Sequence, residues 1–195
     1  MKMLLFAAIT LISLSLAPEK PLNRLGVPGP LRFRQTDFYL AFASHPTATF
    51  YLQEYVPKGE TVDRFTQLLT VRVANRDVSL RDVVNEKITE LEARKKTDIM
   101  CNYQVMSNDK SQEVIVDFMV SDKINDPQAI VEFNIYRYQQ IALGANKRAV
   151  LIYAYSQRSY GAAVDTYLKG LPQVRRDALD EMAKLKLPVV KISGK

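Results

Sequence analysis

Few residues in this chain are of a type and spacing that could do chemistry. Asp117 and Glu132 sit inside otherwise apolar runs, "EVIVDFMV" and "AIVEFNIYRY". Two carboxylates sharing a cleft can run acid–base or glycosidic chemistry. Pointed to solvent or paired with arginines they run neither, and spacing along the chain does not say which arrangement holds. His45 is the single histidine and Cys101 the single cysteine. A zinc site or a cysteine–histidine pair needs more ligands than these, and no G-x-S-x-G elbow accompanies His45. Cys101, in "IMCNYQV", shares a strand face with Ile99, Tyr103 and Val105 and reads as an inert core thiol. No calcium loop or dinucleotide fingerprint occurs. The sequence therefore assigns no catalytic residue, no metal ligand and no cofactor.

Residue types suited to recognition are better represented. Tyr136, Tyr138, Tyr153, Tyr155, Tyr160 and Tyr167 crowd together among Arg137, Arg148 and Arg158. A tyrosine ring can stack while its hydroxyl and a neighbouring guanidinium bond, which suits glycans, peptides or other polar partners. Tyrosine also simply fits a pleated strand. On the recognition view the candidate binding residues are Tyr136, Arg137, Tyr138, Tyr155 and Arg158. At least two of Tyr136, Arg137 and Tyr138 should then be solvent-accessible. A second candidate is the corner Lys58, Gly59 and Glu60 in "EYVPKGET". Pro57 and Gly59 suit a turn there, and the second glycine and Lys-Ser/Thr of a phosphate loop are missing.

The elements that must carry these residues begin after "PEKPLNRLGVPGP", residues 18–30, which reads as an extended lead-in or tether. Period-two alternation predicts a hairpin from Gln35 to Val56, turning at "SHPT", with Phe38, Leu40 and Phe42 on one face. Beyond the corner, Thr61 suits the cap of a short helix carrying Val62, Phe65, Leu68 and Leu69. Ser79 caps the clearest helix, with Asp82 completing a capping box. Leu80, Val83, Val84, Ile88 and Leu91 form its stripe, and Arg94, Lys95 and Lys96 close its end. Four strands follow, of which "EVIVDFMV" and "AVLIYAY" are apolar on both faces. A last helix spans residues 162–187 with a break expected near Gly170 and Pro172. The fold expected is α+β: an antiparallel sheet of about six strands with helices packed on both faces. One domain runs over residues 31–187, with a tail at 188–195.

"MKMLLFAAITLISLSLA", residues 1–17, has a lysine, an apolar run and then small residues. That is the layout of a signal peptide, and its apolar run is short of the roughly 20 residues a spanning helix needs. The chain is expected to be exported, periplasmic or extracellular, and its lone cysteine allows no internal disulfide. The formal charge of +6 is compatible with acidic neighbours such as a membrane surface but decides nothing. No signal for nucleic acid or for oligomeric state is present.

The order of hairpin, "EYVPKGET" corner, capped helix, antiparallel strands and terminal helix resembles the PsbP-like family over residues 31–187. That resemblance implies an α/β/α sandwich and a non-enzymatic accessory or binding role, and carries over no functional residue. The expected function is a non-catalytic exported domain contacting a protein or envelope component. The alternative is a small carboxylate-dependent hydrolase or lyase acting on an envelope substrate.

Overall fold

Alternating and fully apolar runs become eight strands in the computed structural model, which describes residues 20–108, 112–124, 126–143 and 148–192. The expected signal segment lies outside the described residues. The strands are β1 (Leu31–Phe33), β2 (Thr36–Thr47), β3 (Phe50–Pro57), β4 (Gln67–Ala74), β5 (Asn102–Asn108), β6 (Glu113–Asp122), β7 (Ile130–Ala142) and β8 (Arg148–Tyr160). Helix α1 (Leu80–Arg94) links β4 to β5, and α2 (Val164–Lys184) follows β8. All eight strands form one antiparallel sheet in the order β1-β2-β3-β4-β8-β7-β6-β5. Two four-stranded meanders are thus joined by α1 and sewn together where β4 pairs with β8, Leu69 opposite Tyr155 and Arg72 opposite Ile152.

This corrects the expected six-stranded α/β/α sandwich of PsbP-like type. The described residues are 45% strand and 24% helix, and the sheet curls into a half-barrel with only two helices. The double-sided apolarity of β8 is real, since Ala149 to Ser156 are all buried. Its inner side, however, is closed mainly by the curl. Phe33, Phe38, Tyr55, Leu69 and Val71 from β1 to β4 pack with Phe133, Leu151, Tyr153 and Tyr155 from β7 and β8. A sheet that bends back on itself supplies most of its own inner cover, so α2 alone closes the rest and no full second helical layer forms.

Within that frame α2 adds Leu171, Ala178 and Met182 to the large inner core. Outside the curl α1 lays Val83, Val84 and Leu91 over Val116, Phe118, Tyr136 and Tyr138. The α1 capping box forms as expected, with the Ser79 hydroxyl accepting from the Asp82 N–H at 3.1 Å.

Five local expectations change. The lead-in is no tether: Leu25 and Val27 are completely buried, and the Gln53 side chain accepts from the Leu25 N–H at 2.8 Å. The C-terminal tail is pinned to the lead-in, with the Lys191 N–H bonding the Leu25 carbonyl. "SHPT" belongs to β2, and a register shift between Leu40 and Phe42 changes the face, leaving Phe42 exposed while Phe38 is buried. The Thr61 helix does not form. Finally, α2 runs unbroken through Pro172, because buried residues on both sides of the exposed proline hold one stripe against the sheet.

Candidate functional site

The tyrosine–arginine set does not assemble into a surface. Successive β7 side chains alternate in face, so Tyr136 and Tyr138 join the α1 side while Arg137 points to the α2 side. All three are buried, at 8%, 1% and 7% exposure, which corrects the expectation that at least two would be accessible. Burial, with a smaller contribution from Tyr136, pushes the Tyr138 phenol well above its ordinary range. Tyr155 lies in the inner core, tilted against Phe33, and burial pushes its phenol up to about 12. These rings are strand residues filling two separate cores.

Arg137 has a structural assignment instead. It donates to the carbonyls of Met182 and Leu185 at 2.7 and 2.8 Å, at the C-terminal end of α2. It also donates to both carboxylate oxygens of Glu113, at 2.8 and 2.9 Å. A guanidinium there satisfies orphan carbonyls at the negative end of the helix and ties that end to β6. Arg158 is likewise engaged, with Glu132 at 2.5 Å and the Phe65 ring at 4.1 Å.

Asp117 and Glu132 form no dyad. Asp117 is opposite Ile135 in the register and bonds Arg175 of α2 at 2.5 Å. Glu132 lies on the other face of the sheet, with Tyr136 and Tyr138, and is held by Arg158. Each carboxylate is thus paired with its own arginine, across a sheet from the other.

The corner is a turn with an internal clasp. Glu60 donates its N–H to the Pro57 carbonyl, and Gly59 takes a positive φ of 91°. The Glu60 carboxylate accepts from the Thr66 N–H at 2.7 Å and the Thr66 hydroxyl at 2.6 Å, so its acceptors face inward. Val62 and Phe65, meant for a helix, fold over Val56 and Leu68 instead. Lys58, Gly59 and Glu60 also border an apolar surface hollow of about 380 Å³ with Tyr39 and Leu40. His45 stacks on Tyr51 at 4.0 Å. Cys101 is buried against the Leu91 carbonyl, and burial, then the Asp98 charge, push its thiol up.

Among the described residues the most functional geometry lies in a cleft of about 490 Å³ between α1 and the sheet. One wall is α1, with Val83, Glu86, Lys87 and Glu90; the other is the β2–β3 hairpin end, with Thr47, Thr49 and Phe50. Arg72, Ala74, Ile152, Tyr136 and Tyr138 make the floor. Arg72, Ile152 and Tyr138 occupy one row across β4, β8 and β7. The cleft exists because α1 covers β6 and β7 but stops short of β4.

Charges in the cleft are unequally engaged. Arg76 bonds both Glu86 oxygens at 2.5 and 2.6 Å, and Lys87 bonds Glu90 at 2.5 Å. Arg72 makes no ion pair and no hydrogen bond among the described residues, and its buried Nε is unsatisfied. Its guanidinium stands 5.3 Å from the Tyr136 ring centroid, and the Lys87 ammonium is also 5.3 Å from that centroid. Neither the Tyr136 nor the Tyr138 hydroxyl bonds another described residue. The sequence signal for Arg72 was available: a single charge in "LLTVRVAN", the same oddity that marked Asp117 and Glu132.

A family model matches residues 25–187, and the chain belongs to that family, which is uncharacterised. The match begins at Leu25, inside the lead-in that the fold buries. No curated protein and no solved structure matches the chain.

Proposed function

We propose that this family member is an exported, non-catalytic binding module that holds a group from an envelope component or partner in the α1–sheet cleft. The observation that carries this is Arg72. A half-buried guanidinium with no hydrogen-bond or ion-pair partner among the described residues is costly to keep, and it stands in a cleft of ordinary ligand-site size for a domain. Tyrosine hydroxyls and an apolar floor beside it offer the mixed lining that ligand sites use. The pairing of Asp117 and Glu132 with separate arginines on opposite faces leaves the hydrolase alternative without its two carboxylates. Export rests on the N-terminal sequence, and the buried cysteine is compatible with an oxidising compartment.

Thermal melting in small-molecule and lipid extracts of the envelope tests the cleft. Wild-type protein should gain several degrees, and Thr49→Trp, which places a bulky ring at the exposed rim, should gain none. Equal stabilisation of both proteins would place binding elsewhere, and no stabilisation of either would remove the cleft from consideration.

A further inference from the structure

We infer that the cleft takes a monocarboxylate with a short apolar body, its carboxylate on Arg72 and its body over Ala74, Val83 and Ile152. This rests on the cleft being a binding site and names the chemistry it selects. Two of its three cations, Arg76 and Lys87, are already engaged by Glu86 and Glu90. The cation left without a salt bridge among the described residues is therefore one guanidinium, which matches one carboxylate in charge and, through its fork, in geometry. The hydroxyls of Tyr136 and Tyr138 stand on the same floor as further donors.

Glu54 is a diagonal neighbour of Arg72 on the same face, opposite Thr70 in the β3–β4 register. It forms no salt bridge with Arg72, and burial, opposed in part by the Arg72 charge, pushes its carboxyl up. Glu54 thus leaves the guanidinium fork open. Beside Arg72 the lining turns apolar: Ala74 and Ile152 of the floor and Val83 of the α1 wall are buried hydrophobics that border the cleft. A small inorganic anion would leave that surface unmatched, whereas an alkyl or aryl body would cover it.

Titration calorimetry with sodium hexanoate, hexanamide, sodium acetate and inorganic phosphate separates the contributions. Hexanoate should bind at least about tenfold more tightly than hexanamide or acetate, the scale of one charge-assisted pair. Arg72→Gln should bring hexanoate down to the hexanamide level, and Tyr138→Phe, which keeps the ring and the fold, should weaken it severalfold. Circular dichroism of each variant confirms folding, and the Tyr138→Phe result stands if Arg72→Gln does not fold. Hexanamide equal to hexanoate would overturn the carboxylate while leaving the cleft a binding site. Phosphate stronger than hexanoate would overturn the apolar body. If no probe binds, the monocarboxylate is overturned, while the melting series in envelope extracts still judges the broader binding role.

Discussion

Arg137 and Arg72 both sit on strands of the same sheet, beside tyrosines, and their surroundings are opposite. Arg137 has four hydrogen bonds, to the carbonyls of Met182 in α2 and of Leu185 just past its end, and to two Glu113 oxygens. Arg72 has none among the described residues, and faces a cleft. The difference is one of cover. The inner face beside Arg137 is sealed by α2 and by the curl, so the terminal nitrogens of Arg137 take their partners from within the protein, while its Nε, like that of Arg72, has none among the described residues. On the outer face α1 packs chiefly against β6 and β7, and Arg72 lies beside it where the face opens into the cleft. A buried cation that the fold itself satisfies is a structural clamp; one that the fold leaves open is a candidate site.

Breaking the sealed side should cost most. Replacing both Tyr136 and Tyr138 with alanine removes two buried rings and is expected to lower unfolding free energy by about 4 kcal/mol or more. Urea denaturation measures it, and a loss under about 1 kcal/mol would return these rings to the surface. Arg137→Met should cost about 3 kcal/mol, because it strands Glu113 and frees the carbonyls at the end of α2. Hydrogen exchange should then show the last turn of α2 opening first; unchanged protection there would remove the clamp.

Asp98 gives a pH-resolved version of the same contrast. Burial alone pushes its carboxyl up, but the Ser121 hydroxyl and N–H, Arg94 and the Met100 N–H outweigh this and hold it below its usual range. A depressed folded value means that the contribution is present above the unfolded value of about 3.9 and is lost as pH falls through the folded one. Asp98→Asn should cost about 2 kcal/mol at neutral pH, and the gap from wild type should close in that acid window. A gap independent of pH would assign the loss to packing. The smallest effect belongs to the open side: Arg72→Gln should change stability by less than about 1 kcal/mol, since it removes a ring contact and a charge interaction with Glu54 that forms no salt bridge. A loss approaching that of Arg137→Met would make Arg72 a second clamp.

How much of this was legible follows the range of the interactions. The α1 helix and its Ser79–Asp82 box involve residues three apart and were readable directly, as were the four strands after it. The Thr61 helix was misread because Glu60 offers Thr66 a side-chain acceptor that competes with a helical turn. The face assigned to Phe42 was misread because a one-residue bulge after Leu40 inverts the residues that follow it, up to the second register shift after Ser44. The tyrosines and arginines singled out for recognition include two residues that line the proposed cleft, Tyr136 and Tyr138, but not Arg72. Nothing in "TVRVAN" says that α1 will stop before reaching it.

By itself, the sequence determined the strand periods, the capped helix, the absence of a second histidine or cysteine, and hence the chemistries without enough ligands. Those are properties of composition and of hydrogen bonds between near neighbours in the chain. Only the tertiary structure decided that β4 meets β8, that the sheet curls into a half-barrel, and that Arg137 is spent on α2 while Arg72 is not. Arg137 finds its carbonyl partners 45 and 48 residues away, and whether a buried charge has a partner depends on which surfaces the curl and the helices cover. No local pattern encodes that cover, because it arises only when distant apolar faces are buried together.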